Sequence, residues 1–288
     1  MKKINCSLTI LFLLVSCSLF AQIPQPAQAR DYSRRMSIDT ASLQVTYSCT
    51  IRRILSTESY SSDFQVLEKG RDYCRYYSRN AEILDSIFTY TRQNIPNLGR
   101  DGKGNYREGT YEDIYIDYPG KGKMSVITRF LKKNFLYTED IPEQKWTVTS
   151  ECDTILGYQC FKAFSDFRGR TWYAWFSFDI PLNLGPWKLS GLPGLILKAE
   201  DADGYFTYEA VGLVQNAGSP IVMYDEKYQK CKIDDVLMLN DLRWKDSDFL
   251  MKMMCGAEIV TIKRDELGNL VEKSRTSGLV IPQKETNL

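Results

Sequence analysis

From Ser42 to Leu213 the sequence runs in short stretches of alternating apolar and polar residues, broken by turn-forming residues. Residues 42–54 put Leu43, Val45, Tyr47 and Cys49 on one face, the period of two that marks a half-buried strand. Residues 63–68 and 72–78 repeat the pattern, with Lys69-Gly70 between them as a hairpin signal. Further strands are expected over residues 111–118 and 123–130, joined by Pro119-Gly120-Lys121-Gly122. Five more follow, at 135–140, 146–152, 158–164, 171–179 and 195–200. A turn at Asp201-Ala202-Asp203-Gly204 then leads into a strand at 205–213.

Two segments change period. Asn80 is a suitable N-cap for a helix over 81–93, where Ile83, Ile87 and Tyr90 fall on one face and Pro96 ends the run. Residues 233–255 form the second helical region. Val236, Leu239 and Leu242 share a face there, and Asp246-Ser247 caps a methionine-rich continuation ending at Cys255-Gly256. A hairpin over 258–264 and 269–275 closes the chain. The expected class is α+β, mostly β: a curved antiparallel sheet, open or half barrel, with two helical segments packed against it.

The chain opens with Met1-Lys2-Lys3, followed by an apolar stretch from Ile4 to Phe20 and then Ala21. This reads as a signal peptide over 1–21 cleaved after Ala21, and it is shorter than the roughly 20 apolar residues a spanning helix needs. Leu14-Val15-Ser16-Cys17 offers lipidation at Cys17 as the alternative. Residues 22–38 read as a flexible leader and 39–288 as a single β-rich domain with no further transmembrane candidate. The location expected is the periplasm or the cell surface.

Cleavage removes two of the 37 basic residues (Lys2 and Lys3) and none of the 36 acidic ones, leaving a net charge of −1. A near-neutral chain gives no electrostatic reason to expect nucleic acid as a partner. Cys49, Cys74, Cys152, Cys160, Cys231 and Cys255 remain, an even number in an oxidising compartment. Sequential pairing (49–74, 152–160, 231–255) is one connectivity among the 15 that six cysteines allow, and buried free thiols are the alternative.

The chain has no histidine. Ser-His-Asp and Cys-His catalysis and His-based zinc sites are therefore excluded. Gly99, Gly102, Gly104 and Gly109 are not framed by a strand and a helix, so they read as a surface loop rather than a phosphate cradle. No metal or cofactor is expected. Any catalysis would need carboxylates, tyrosines, lysines or cysteines, and no convincing pair of acids stands out.

The most distinctive text lies between 146 and 200. It contains Gly157-Tyr158-Gln159-Cys160, Phe167-Arg168-Gly169-Arg170, Gly185-Pro186-Trp187 and Gly191-Leu192-Pro193-Gly194-Leu195-Ile196. This segment resembles the GLPGLI family, exported proteins of Gram-negative bacteria with no known biochemical function. The resemblance implies location and homology, and no reaction.

Physically, Gly191 and Gly194 allow a tight loop that Pro193 stiffens. That loop could plug Leu192 and Trp187 into the sheet, or form an apolar wall for a ligand or partner. Trp172 and Trp175 lie on opposite faces of one aromatic strand, which implies a closed core or a cavity. Arg168 and Arg170 could clamp an anion, or bridge surface loops to nearby acids. The expected roles, in order, are a non-catalytic binding protein for an apolar or lipid-like ligand, a docking module for an envelope protein through residues 191–196, and a carboxylate-based hydrolase.

Overall fold

A computed structural model of the chain describes residues 29–52, 60–91, 109–130, 133–245, 262–264 and 270–272. The signal segment with Cys17, Gly99 to Gly104, Asp246-Ser247, the three late methionines, Cys255 and most of the last hairpin lie outside these residues. Of that hairpin, β15 (Ile262–Arg264) and β16 (Leu270–Glu272) pair antiparallel.

The centre of the fold is a twelve-stranded sheet built from two meanders. The first unrolls from the middle to one edge: β2 (Leu43–Arg52), β3 (Tyr60–Lys69), β4 (Cys74–Ser78), β5 (Glu112–Ile116), β6 (Lys123–Phe130) and β7 (Lys133–Asp140). The second starts at the opposite edge and returns: β8 (Thr147–Ile155), β9 (Tyr158–Phe167), β10 (Arg170–Ser177), β11 (Leu195–Asp201) and β12 (Phe206–Gln215). β12 pairs antiparallel with β2 and joins the meanders, and the short β14 (Gln229–Lys230) runs parallel to β7.

This order forces curvature. Laid flat, the eleven strands from β7 to β8 would span about 48 Å. Residues 141–146, which connect those two edges, reach at most about 25 Å. The sheet therefore curls until its edges approach, yet it stays open, as the alternation predicts.

The inner face carries the main core. Val45, Tyr47, Leu67, Tyr76, Ile114, Val126, Trp172, Ala174, Leu197 and Tyr208 are buried there, and helix α2 (Ile233–Lys245) adds Val236 and Leu239. Over β3–β6 the outer face is covered as well. Helix α1 (Arg79–Thr91), the N-terminal residues and a two-stranded ribbon of β1 (Arg35–Thr40) with β13 (Pro220–Tyr224) lie across it.

Several expectations need correction. Residues 35–38 belong to β1 and Arg30 is buried, so this part of the expected leader is built into the fold. Ser78, not Asn80, caps α1: the Ala81 amide donates to Ser78 Oγ at 3.0 Å. The Ile83, Ile87, Tyr90 stripe does not face the core. Ala81, Leu84 and Asp85 do, while Ile83 and Ile87 stay half-buried and Tyr90 is exposed.

The sequential disulfides also fail on geometry. Cys49 faces Asp63 and Cys74 faces Lys69 on β3, six residues or about 20 Å apart, too far for a bridge. Cys152 pairs with Phe161, so it and Cys160 point to opposite faces of the β8–β9 hairpin. Cys231 sits 3.7 Å from the Leu136 carbonyl, and its expected partner lies outside the described residues.

Candidate functional site

The distinctive motifs assemble into one object, a plug. Residues 178–194 leave β10, turn inward and fold back along β11. The Leu195 amide donates to Ile180 O at 2.9 Å, Ile196 to Leu184 O at 2.9 Å and Gly191 to Asn183 O at 3.2 Å. Trp187 and Leu192 are each only 1% exposed. The Trp187 ring lies 5.5 Å from Trp172 and 5.7 Å from Phe167. Its backbone is left-handed, φ 56°, a conformation that costs an L residue about 1–2 kcal/mol and is offset here by the indole's burial.

The motif glycines follow from this path. Gly191 has φ 91°, and a Cβ on Gly194 would lie 2.0 Å from the Ser177 carbonyl oxygen.

The plug also ties β7 and the connection that follows it to the second meander. Lys188 Nζ donates to Tyr137 and Glu139 on β7, both at 2.9 Å, and Arg168 pairs with the other Glu139 oxygen. Gln144 and Trp146, in and beside the edge connection, donate to the Lys188 and Ser190 carbonyls at 2.8 and 2.7 Å.

Arg168 sits in a two-residue turn with Gly169, both at positive φ, as right-twisted hairpins prefer. Arg170 binds Asp201 at 2.8 Å and Asp203 at 3.2 Å. Both arginines thus bridge acids of the same chain. Trp175 is buried on the outer face beneath Lys162 and Lys198, which stack on its ring. Gly191 and Pro193 are the exposed residues of the loop. The residues singled out in the sequence therefore gather in and around the interior plug, not on an open surface or around an empty cavity.

On the opposite side of the sheet lies an arrangement the sequence reading missed. Arg30 binds Asp85 and Asp113, both at 2.8 Å, Arg75 binds Asp113 at 2.9 Å and Glu82 at 3.1 Å, and Arg129 binds Asp85 at 3.0 Å. Burial alone would raise the Asp113 carboxyl, but Arg30 and Arg75 hold it well below the usual carboxylate range. This network clamps α1 and the N-terminal residues onto the outer face of β4–β6.

Beside the network, between α1 and the outer face of β2–β4, is an open cleft of about 370 Å³. Its floor is Gln44, Thr46, Val66 and Tyr77, and α1 supplies Arg79, Glu82, Ile83, Ser86 and Ile87. Beside the floor, on the same face of the sheet, cross-strand pairing sets Glu68 between Gln44 and Arg75. Glu68 is 3% exposed. Its Oε1 accepts from Gln44 Nε2 at 3.2 Å and from Tyr77 at 3.4 Å, whereas its Oε2 has no hydrogen-bond partner. Burial pushes the Glu68 carboxyl up and the Glu82 charge adds to this, with Arg75 opposing. Among the described residues Arg79 has no ion pair or hydrogen bond.

A signal for this site was present in the sequence. Glu82, Asp85, Ser86 and Thr89 recur at helical spacing on α1, a polar face on a helix that has to pack against a sheet. Among the described residues no group of acids and cysteines is placed to hold a metal ion, and no helix is long and apolar enough to cross a membrane.

Comparison with known proteins gives a short list. Residues 167–198, the arginine turn through the plug, match the model of a family described as a protein of unknown function, Porph_ging. No curated protein matches. Among solved structures, PNGF-II aligns with a TM-score of 0.44 and 18% identity over 72% of this chain, which spans 33% of that protein's length. MucB in complex with periplasmic MucA aligns at 0.27 and 9% over 66%, spanning 53% of MucB. A DUF1329 family protein from Desulfovibrio piger aligns at 0.20 and 9% over 63% of this chain and 88% of its own.

Proposed function

We propose that the protein is an exported, non-catalytic binding protein of the bacterial envelope, of the GLPGLI type, whose ligand site is the cleft beside α1. The observation that carries this reading is the contrast between the two faces of the sheet. The interior, where an apolar or lipid-like ligand would sit, is filled by Leu184, Trp187, Leu189 and Leu192. The cleft is open, mixed in polarity, and floored by side chains that hydrogen-bond a buried carboxylate with an unused oxygen. A pocket with an apolar wall and a few convergent polar groups is the common form of a small-molecule site.

Burial of Trp187 and Leu192 removes both from the surface that a docking role through residues 191–196 would need. In this reading Gly191, Leu192, Pro193, Gly194, Trp172 and Trp187 are the structural set that closes the interior. The signal-like segment 1–21 supports export, and the 167–198 match coincides with the text that carries the GLPGLI resemblance.

The test is intact mass under native and denaturing conditions, on protein purified without detergent from its own envelope, beside a Ser86→Trp variant that fills the cleft. A discrete polar adduct on the wild type, absent from the variant, is expected. An acyl-chain adduct retained by the variant would overturn the assignment and return the site to the interior.

A further inference from the structure

The mixed character of the cleft defines a ligand class. Its α1 wall is the stripe of Ile83 and Ile87, which turns away from the core and with Val66 offers an apolar surface. At one point of that wall, Arg79 carries a positive charge that no group among the described residues neutralises by contact. One turn along, Glu82 presents a carboxylate that Arg75 holds at 3.1 Å and Arg35 at 3.9 Å, both through Oε1, and beside the floor Glu68 adds a second, relayed through Gln44 and Tyr77. Arg79 and Glu82 stand three residues apart on one helix, yet they do not pair.

We propose, building on the cleft as the binding site, that it takes a compact zwitterion with an apolar side chain, a free aliphatic α-amino acid. The ammonium sits against Glu82, Gln44 and Tyr77 beside Glu68, the carboxylate meets Arg79, and the side chain lies on Val66, Ile83 and Ile87. The guanidinium gains an anion, Glu68, whose Oε2 accepts no hydrogen bond, gains a cation through Gln44 and Tyr77, and the half-buried isoleucines gain cover. Charge-assisted hydrogen bonds at both ends are the stronger kind and set the ligand's orientation. A neutral or singly charged molecule of the same size would leave one end without its charge-assisted partner.

Ligand-observed saturation-transfer NMR tests this on the whole exported chain, with leucine, N-acetyl-leucine and leucinamide as probes. The proteins compared are the wild type and the Arg79→Ala, Glu68→Gln and Ser86→Trp variants. Leucine is expected to bind the wild type. Acetylation of its amine and amidation of its carboxylate should each weaken binding at least tenfold, about 1.4 kcal/mol. Arg79→Ala, an exposed position with no folding contact to lose, should bring leucine and leucinamide to the same affinity, and Glu68→Gln should weaken leucine.

N-acetyl-leucine binding as well as leucine, with both lost in Ser86→Trp, would overturn the zwitterion while leaving the cleft as the site. Failure of all three probes, with a polar adduct that Ser86→Trp removes, would do the same. Equal signals from all three probes on the wild type and on Ser86→Trp would overturn the zwitterion and the cleft together.

Discussion

Trp187→Ala is the sharpest perturbation of the plug. The indole is 1% exposed and packs on Trp172 and Phe167 at 5.5 and 5.7 Å. Removing a buried tryptophan costs about 3–5 kcal/mol, part from lost transfer energy and part from the cavity left behind. Relief of the left-handed strain is small, because alanine at φ 56° still pays most of it. For a domain of this size the loss lowers Tm by roughly 10 °C.

Urea titration followed by circular dichroism measures the difference, and a second readout separates packing from misfolding. The cavity is apolar, so indole added at about ten times its Kd should return about 1.4 kcal/mol to the variant and nothing to the wild type. A loss under about 1 kcal/mol, with no rescue by indole, would mean that Trp187 does not fill the interior, and the reasoning would fall.

Other consequences follow from particular groups. Gly194→Ala should destabilise by about 2 kcal/mol through overpacking against the Ser177 carbonyl, while Gly120→Ala, with open space around it, should be near neutral by thermal melting. Asp113→Asn should cost about 3–5 kcal/mol, because it leaves the buried Arg30 with Asp85 alone and Arg75 with Glu82 alone. Because the folded-state acidity of Asp113 lies below its unfolded value, its contribution is present above that value and is lost as pH falls through the acid range. Stability of the asparagine variant should fall less on acidification than that of the wild type.

Glu68 runs the other way. Its acidity is raised on folding, so its ionisation costs stability as pH climbs above about 4.5, the unfolded value. Glu68→Gln should therefore gain on the wild type with rising pH, and a constant difference between pH 4 and 8 would contradict this. Native alkylation with peptide mapping should label exposed Cys152 and spare Cys74, whose thiol burial pushes up to about 12.

The strands were legible where one face is buried and the other wet. Leu43, Val45, Tyr47 and Cys49 alternate because β2 sits in the middle of the sheet with a single core side. β1 and β13 were not legible, since neither alternates: β1 is half-buried or exposed along its length, whereas Ile221, Val222, Met223 and Tyr224 of β13 are all buried. The plug was legible in part. Gly191, Pro193 and Gly194 announced a tight loop, but only the short connection between β7 and β8 shows that it seals a curled sheet. The cleft was hidden because its parts come from β2, β3, β4 and α1. The expected hairpin brings Glu68 near Arg75, but nothing local marks α1 as lying beside them, and the isoleucine stripe of α1 reads as a core face until Asp85 is found buried in its place.

Titration with a fluorescent fatty acid tests the filled interior most directly. A sealed plug predicts no saturable binding to the wild type, whose only affinity should be for polar ligands at the α1 cleft. Saturable one-to-one binding of the fatty acid, unaffected by Ser86→Trp, would contradict the plug and make the sheet interior the binding site.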